Sequence, residues 1–173
     1  LTGEISTDDA GEYVSTAGDV NNDGYDDILV GVPHQAMYSG WNGAVYLVLG
    51  SSAGISDMSL KDADVKWSGE NSDDQTGVTS NAGDVNGDGF ADILIGARYY
   101  NTTEVKAGAA YLLEGGCDGS SSCGGTATGF FASVTSGSMS LADADAVFTG
   151  EEAYDQASRV SDAGDIDGDG YDD

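Results

Sequence analysis

The stretch Ala17-Gly18-Asp19-Val20-Asn21-Asn22-Asp23-Gly24-Tyr25-Asp26-Asp27-Ile28-Leu29-Val30-Gly31 recurs as Ala82-Gly83-Asp84-Val85-Asn86-Gly87-Asp88-Gly89-Phe90-Ala91-Asp92-Ile93-Leu94-Ile95-Gly96, and a third copy runs from Ala163 to Asp173. In each copy acids and amides alternate across a short loop around one glycine, and in the first two the chain then turns apolar. Alternation puts successive odd positions on the inner side of a tight loop, and glycine permits the turn that closes it. The continuous runs Ile28-Leu29-Val30 and Val45-Tyr46-Leu47-Val48-Leu49 are rich in β-branched and aromatic residues. They read as strands covered on both faces rather than as buried helix.

The first aspartate of each copy falls at 19, 84 and 165, so the repeats measure 65 and 81 residues. Similarity continues on both sides of the loops. Gly3-Glu4, Gly69-Glu70 and Gly150-Glu151 open the units, and Asp9, Asp74 and Asp155 stand ten residues before their loops. Leu60-Lys61-Asp62-Ala63-Asp64 returns as Leu141-Ala142-Asp143-Ala144-Asp145. Apolar segments near 12–17, 28–32, 44–49 and 65–68 give four strands per unit, which is one propeller blade. The expected fold is all-β: β-propeller blades of four antiparallel strands, in an incomplete propeller segment. The units are 1–67, 68–148 and the start of a third at 149–173. The extra residues of the second fall in the Gly/Ser/Thr-rich stretch 115–140, expected to be a surface loop or hairpin excursion.

Composition narrows the partners. Thirty-one acidic against five basic residues give a net charge of −26, which makes nucleic acid and anionic membranes poor partners and multivalent cations, a basic protein or a salty medium better ones. Twenty-seven glycines and a single proline, Pro33, suit many tight turns. No apolar run is long enough to insert in a membrane. A first residue Leu1, with no signal-like stretch, reads as a processed or excised segment.

A hard cation such as calcium takes six to eight oxygen ligands, and these loops offer them at alternate positions. In the first loop the expected ligands are Asp19, Asn21, Asp23, Asp27 and the carbonyl of Tyr25. The second offers Asp84, Asn86, Asp88, Asp92 and the carbonyl of Phe90; the third offers Asp165, Asp167, Asp169, Asp173 and the carbonyl of Tyr171. An EF-hand would need an acid at position twelve and a following helix, whereas Val30 and Ile95 occupy that position here. The bland alternative is an Asp/Asn turn held by its own side-chain hydrogen bonds. Three matched copies favour calcium, about three ions per chain, tying the first strand of each blade to the second.

These residues resemble the FG-GAP repeat family, with units of Phe-Gly, then Asp-x-Asx-x-Asp-Gly-x-x-Asp, then a strand closing in Gly-Ala-Pro. The loops match fully. Gly31-Val32-Pro33 and Gly96-Ala97-Arg98 match the last element with changes, and the Phe-Gly positions hold Gly11-Glu12, Thr76-Gly77 and Ala157-Ser158. The resemblance implies a propeller of the kind found in integrin α-subunits and secreted bacterial proteins, with calcium loops on one face and recognition loops mainly on the other. It implies a non-enzymatic segment of a secreted or cell-surface protein that serves adhesion, protein interaction or assembly. Two and a half units do not close a ring, so further blades or neighbouring copies are expected partners.

Other features carry weaker expectations. Cys117 and Cys123 would form a disulfide in an oxidising compartment. Asp118-Gly119-Ser120-Ser121-Ser122 copies an adhesion-domain metal string by chance, and Asn101-Thr102-Thr103 is a glycosylation sequon. His34, the only histidine, reads as a loop residue, and no hydrolase triad or elbow motif accompanies it. Tyr38, Trp41, Tyr99 and Tyr100 follow the second strands, where they would either pack between blades or bind a protein or glycan. A carbohydrate-binding accessory domain of a secreted enzyme is the alternative function, and a mere spacing scaffold a third.

Overall fold

A computed structural model describes residues 1–5, 7–37, 40–117, 126, 128–133 and 138–173. The strands, in chain order, are β1 (Tyr13–Gly18), β2 (Asp27–Val32), β3 (Ala36–Met37), β4 (Gly40–Trp41), β5 (Ala44–Val48), β6 (Val65–Ser68), β7 (Thr76–Gly83), β8 (Asp92–Ala97), β9 (Ala109–Leu113), β10 (Ser138–Ser140) and β11 (Ala146–Thr149). β1, β2, β5 and β6 form one antiparallel blade, and β7, β8, β9 and β11 form a second. The small hairpin β3–β4 interrupts the link from β2 to β5. The two blades do not close a ring.

The continuous apolar runs behave as their composition requires. Every residue of β5 is buried, and β2 is buried throughout except for Ile28. Leu29, Leu47 and Trp67 of the first blade join Ile93, Ile95 and Tyr111 of the second in one core between the sheets. The opposite side chains of the first blade, Val30, Val32, Ala44 and Tyr46, pack with Leu60 in a separate cluster. Blade therefore stacks on blade, and contact is closest at glycine. A β-carbon on Gly31 would lie 1.8 Å from the carbonyl oxygen of Gly77, and one on Gly96 would lie 2.0 Å from that of Ser158. β7 thus rests directly on the backbone of β2, and the segment around Ser158 on that of β8, and a side chain at either glycine would push them apart.

The recurring Leu-x-Asp-Ala-Asp segment has a structural reason. Leu60 and Leu141 are fully buried, each in a single 3-10 turn whose preceding serine, Ser59 or Ser140, accepts a hydrogen bond from the backbone two residues on. The last aspartates, Asp64 and Asp145, accept from the N–H groups of Leu49 and Glu114 and anchor the turn to the third strand.

Two expectations are corrected. The stretch 115–140 is not simply a surface excursion. Its end forms β10, which pairs parallel with β6 of the first blade, Met139 opposite Trp67. Phe130, Phe131 and Met139 enter the shared core, with the Phe130 ring edge-on to Trp67 at 5.2 Å. Burying three large apolar side chains, at about 1.5–3 kcal/mol each, outweighs leaving them in solvent. The second correction concerns register. Asp74 and Asp155 accept hydrogen bonds from the N–H groups of Asn71 and Glu152, three residues earlier, and the residue that does this in the first repeat is Asp8, accepting from Ile5. One additional residue before β1 displaces Asp9 from that position. Cys123, Tyr38 and the Asp118 to Ser122 string lie outside the described residues; Cys117 is buried, and its N–H donates to Thr128 Oγ1.

Candidate metal centres

The first two acidic loops join β1 to β2 and β7 to β8, so both lie at the same end of their blades, and the third lies against the second through Asp172 and Asp84. Within the first loop the side chains fold inward onto the backbone. Asp19 accepts from the N–H groups of Asp23 and Gly24 at 3.0 and 2.8 Å, Asn21 from Asp23 at 3.2 Å, and Asp23 from Tyr25 at 3.0 Å. The second loop repeats every bond: Asp84 with Asp88 and Gly89, Asn86 with Asp88, Asp88 with Phe90. So does the third, through Asp165 with Asp169 and Gly170, Asp167 with Asp169, and Asp169 with Tyr171. Gly24, Gly89 and Gly170 have φ of 92°, 90° and 98°, a region that a side chain strongly disfavours.

The last aspartate of each loop closes it. Asp27 accepts from Val20 at 3.0 Å, Asp92 from Val85 at 2.9 Å, and Asp173 from Ile166 at 2.8 Å. The other oxygens of Asp27 and Asp92 reach past the loop to the N–H groups of Gly50 and Gly115, both at 2.7 Å, just after the third strand. These two contacts were missed at the sequence level, although the matching positions of Gly50 and Gly115 carried a signal.

These bonds shape the loop without using up its oxygens, because an ionised carboxylate has about four acceptor sites. The donor set fits a hard cation. Carboxylate oxygens of Asp165, Asp167 and Asp173 lie within 4.8 Å of one another. In the first two loops Asn21 and Asn86 stand where the third has Asp167. Electrostatics agree with the geometry. Burial pushes the Asp27 carboxyl up to about 6 against the hydrogen bonds from Gly50 and Val20, with Asp23 and Asp19 adding to the rise. Burial does the same to Asp92, also to about 6, with Asp88 and Asp84 adding. A bound cation supplies the opposing charge that reverses such a shift. Within each loop the expected side chains thus fold onto shared backbone N–H groups, and in the third loop the carboxylates of Asp165, Asp167 and Asp173 also lie close enough to share one ion.

The loops also touch one another. The N–H of Ala91 donates to the carbonyl of Asp19, and that of Asp172, at the equivalent place in the third loop, donates to the carbonyl of Asp84. Asp172 returns the contact, its Oδ2 accepting from the Asp84 N–H at 2.9 Å.

At the opposite end the aromatics divide. Trp41 is exposed and meets His34 edge-on at 5.1 Å. Tyr99 lies beneath the cations of Arg98 and Lys106, at 5.0 and 4.4 Å from its ring centre. Tyr100 packs on Tyr111 against the core.

Stacked four-stranded blades, joined at one end by a series of acidic Asp/Asn/Gly loops, define a repeat protein of the β-propeller class. Residues 13–48 and 76–113 match the FG-GAP repeat, so the chain carries two repeats of the FG-GAP type. It is similar to integrin alpha pat-2 of Caenorhabditis elegans, 38% identical over 91 residues, which is 50% of this chain and 7% of that protein. Integrin alpha-PS5 of Drosophila melanogaster is 39% identical over 90 residues, 50% of this chain and 8% of the relative. Integrin alpha-5 of Xenopus laevis is 28% identical over 109 residues, 62% of this chain and 10% of the relative. The chain thus spans a small fraction of the length of these relatives.

Proposed function

We propose that this chain is a calcium-stabilised, non-enzymatic propeller segment of a secreted or cell-surface protein, serving adhesion, protein interaction or assembly. The observation that carries the reading is the threefold recurrence of one inward-folded donor set. The residues that would hold calcium are Asp19, Asn21, Asp23 and Asp27, then Asp84, Asn86, Asp88 and Asp92, then Asp165, Asp167, Asp169 and Asp173, with the carbonyls of Tyr25, Phe90 and Tyr171. Bound calcium supplies positive charge and cross-links one end of each first strand to the next. Sites of this kind suit the millimolar calcium found outside cells.

The uncovered face of the second blade supports an assembly role. Phe148 of β11 is exposed and lines a cavity of about 760 Å³ with Val78, Ala110 and residues 155–160. Further blades or a neighbouring copy would cover it. A protein ligand is preferred over a glycan, because of Trp41, Tyr99 and Tyr100, the described aromatics that follow the second strands, only Trp41 is exposed. A Cys117–Cys123 disulfide would belong to the same extracellular reading.

The test is calorimetric titration of the EDTA-treated chain with Ca²⁺. Three sites are expected, with Asp19→Ala, Asp84→Ala and Asp165→Ala each removing one. No saturable calcium binding would overturn the reading.

A further inference from the structure

We propose that Asp9, Glu12 and His34 form a second kind of metal site, suited to zinc or a similar borderline divalent ion, at the end of the first blade away from the acidic loops. Strand pairing creates it. Tyr13 of β1 lies opposite Gly31 of β2, and the Gly11 N–H donates to the Gly31 carbonyl, so residues just before β1 meet residues just after β2. His34 Nδ1 lies 2.9 Å from Asp9 Oδ2 and 3.8 Å from Glu12 Oε2, and one donor atom from each residue lies within 4.8 Å of the others. The carboxylates are exposed and the imidazole half-buried, which leaves an ion a way in.

The donor types separate this site from the loops. An imidazole with two carboxylates suits zinc-like ions, whereas purely oxygen sets suit calcium and magnesium. Three protein ligands leave a coordination position open, and space is present for it. Glu12 and His34 line a cavity of about 90 Å³ with Tyr13, Pro33, Gln75, Val78 and Arg98, room for water or a small anionic co-ligand that the Arg98 guanidinium would favour. The Trp41 ring stands edge-on against His34, at 74° between planes, and restrains the imidazole.

The second repeat supplies an independent argument. At the place of Asp9 it has Gln75, with nearly the same backbone (φ 51° against 52°), and at the places of Glu12 and His34 it has Gly77 and Tyr99. A blade therefore folds without these three residues, and the frame does not demand them.

The experiment is zinc titration of the whole chain in saturating calcium, so that the oxygen loops are occupied, followed by the ¹⁵N imidazole resonances. Because His34 is the only histidine, those signals report on it alone. One zinc per chain is expected, with a large shift of one ring nitrogen. Changes beside a metal ligand already weaken binding about 10–100-fold, so His34→Gln and Glu12→Gln should each weaken zinc at least about tenfold. Both variants should melt with the wild type in calcium alone, which separates a lost site from a lost fold. Unmoved imidazole signals, or His34→Gln binding zinc as tightly as the wild type, would overturn the proposal and leave a hydrogen-bonded cluster only. Neither result depends on whether the loops bind calcium.

Discussion

The first acidic loop and the third make the same internal hydrogen bonds in opposite surroundings. Val20 is completely buried, while its counterpart Ile166 is 74% exposed, and Asp27 is buried where Asp173 is open to solvent. Trp67 and Phe148 differ in the same way. Both occupy the third position of a fourth strand, yet Trp67 is completely buried beneath Phe130 and Phe148 is 56% exposed. Loop conformation is thus written locally, within about nine residues, whereas burial is conferred by the strands and the neighbouring blade. This is the behaviour of a stacked repeat, in which stability is a sum of unit and interface terms.

The widest contrast should appear at the fourth strands. Trp67→Ala removes a core side chain and is expected to cost about 3–5 kcal/mol in denaturant unfolding, while Phe148→Ala should change stability by less than about 0.5 kcal/mol. Equal losses would mean that the exposed face is covered in solution, and would locate the contact that covers it.

A second contrast concerns Asp74 and Asp155. Burial pushes the Asp74 carboxyl up to about 6, against the hydrogen bonds from Asn71 and aided by Glu70 and Asp73, whereas Asp155 is exposed. An acid whose folded value lies above the unfolded one, about 3.9, favours folding when protonated. Its contribution is complete below about pH 4 and is lost as pH rises towards 6. Asp74→Asn keeps an acceptor for the Asn71 N–H and removes that loss, so its stability relative to wild type should rise by about 1–3 kcal/mol across the window. Melting curves between pH 4 and 7 decide it.

The smallest effect should come from the seam between loops. Asp172→Ala deletes the bond to the Asp84 N–H and should cost about 1 kcal/mol, while the equivalent position between the first two loops is already alanine, Ala91. Calcium titration of the variant should show the second site weakened and the first unchanged.

Most of the fold was legible because its signals are local and repeated. The inward side chains of the loops and the continuous runs of β2 and β5 follow from residue types at fixed spacing. The features that escaped are non-local. The alternation Ser138-Met139-Ser140 is too short to read as a strand within the Gly/Ser-rich stretch, yet it finds the open edge of β6, more than sixty residues earlier in the chain. A single added residue before β1 hid Asp8 behind Asp9. His34 read as a loop residue because its partners come from another strand end, and pairing across β1 and β2 had to be seen first.

The central claim, that calcium ties the first two strands of each repeat together, is tested most directly by melting the chain in millimolar calcium and again after treatment with EDTA. Calcium should raise the melting temperature strongly and, above the dissociation constant, with the logarithm of its concentration. Identical melting of the two forms would contradict the account and leave the loops as turns held by their own hydrogen bonds.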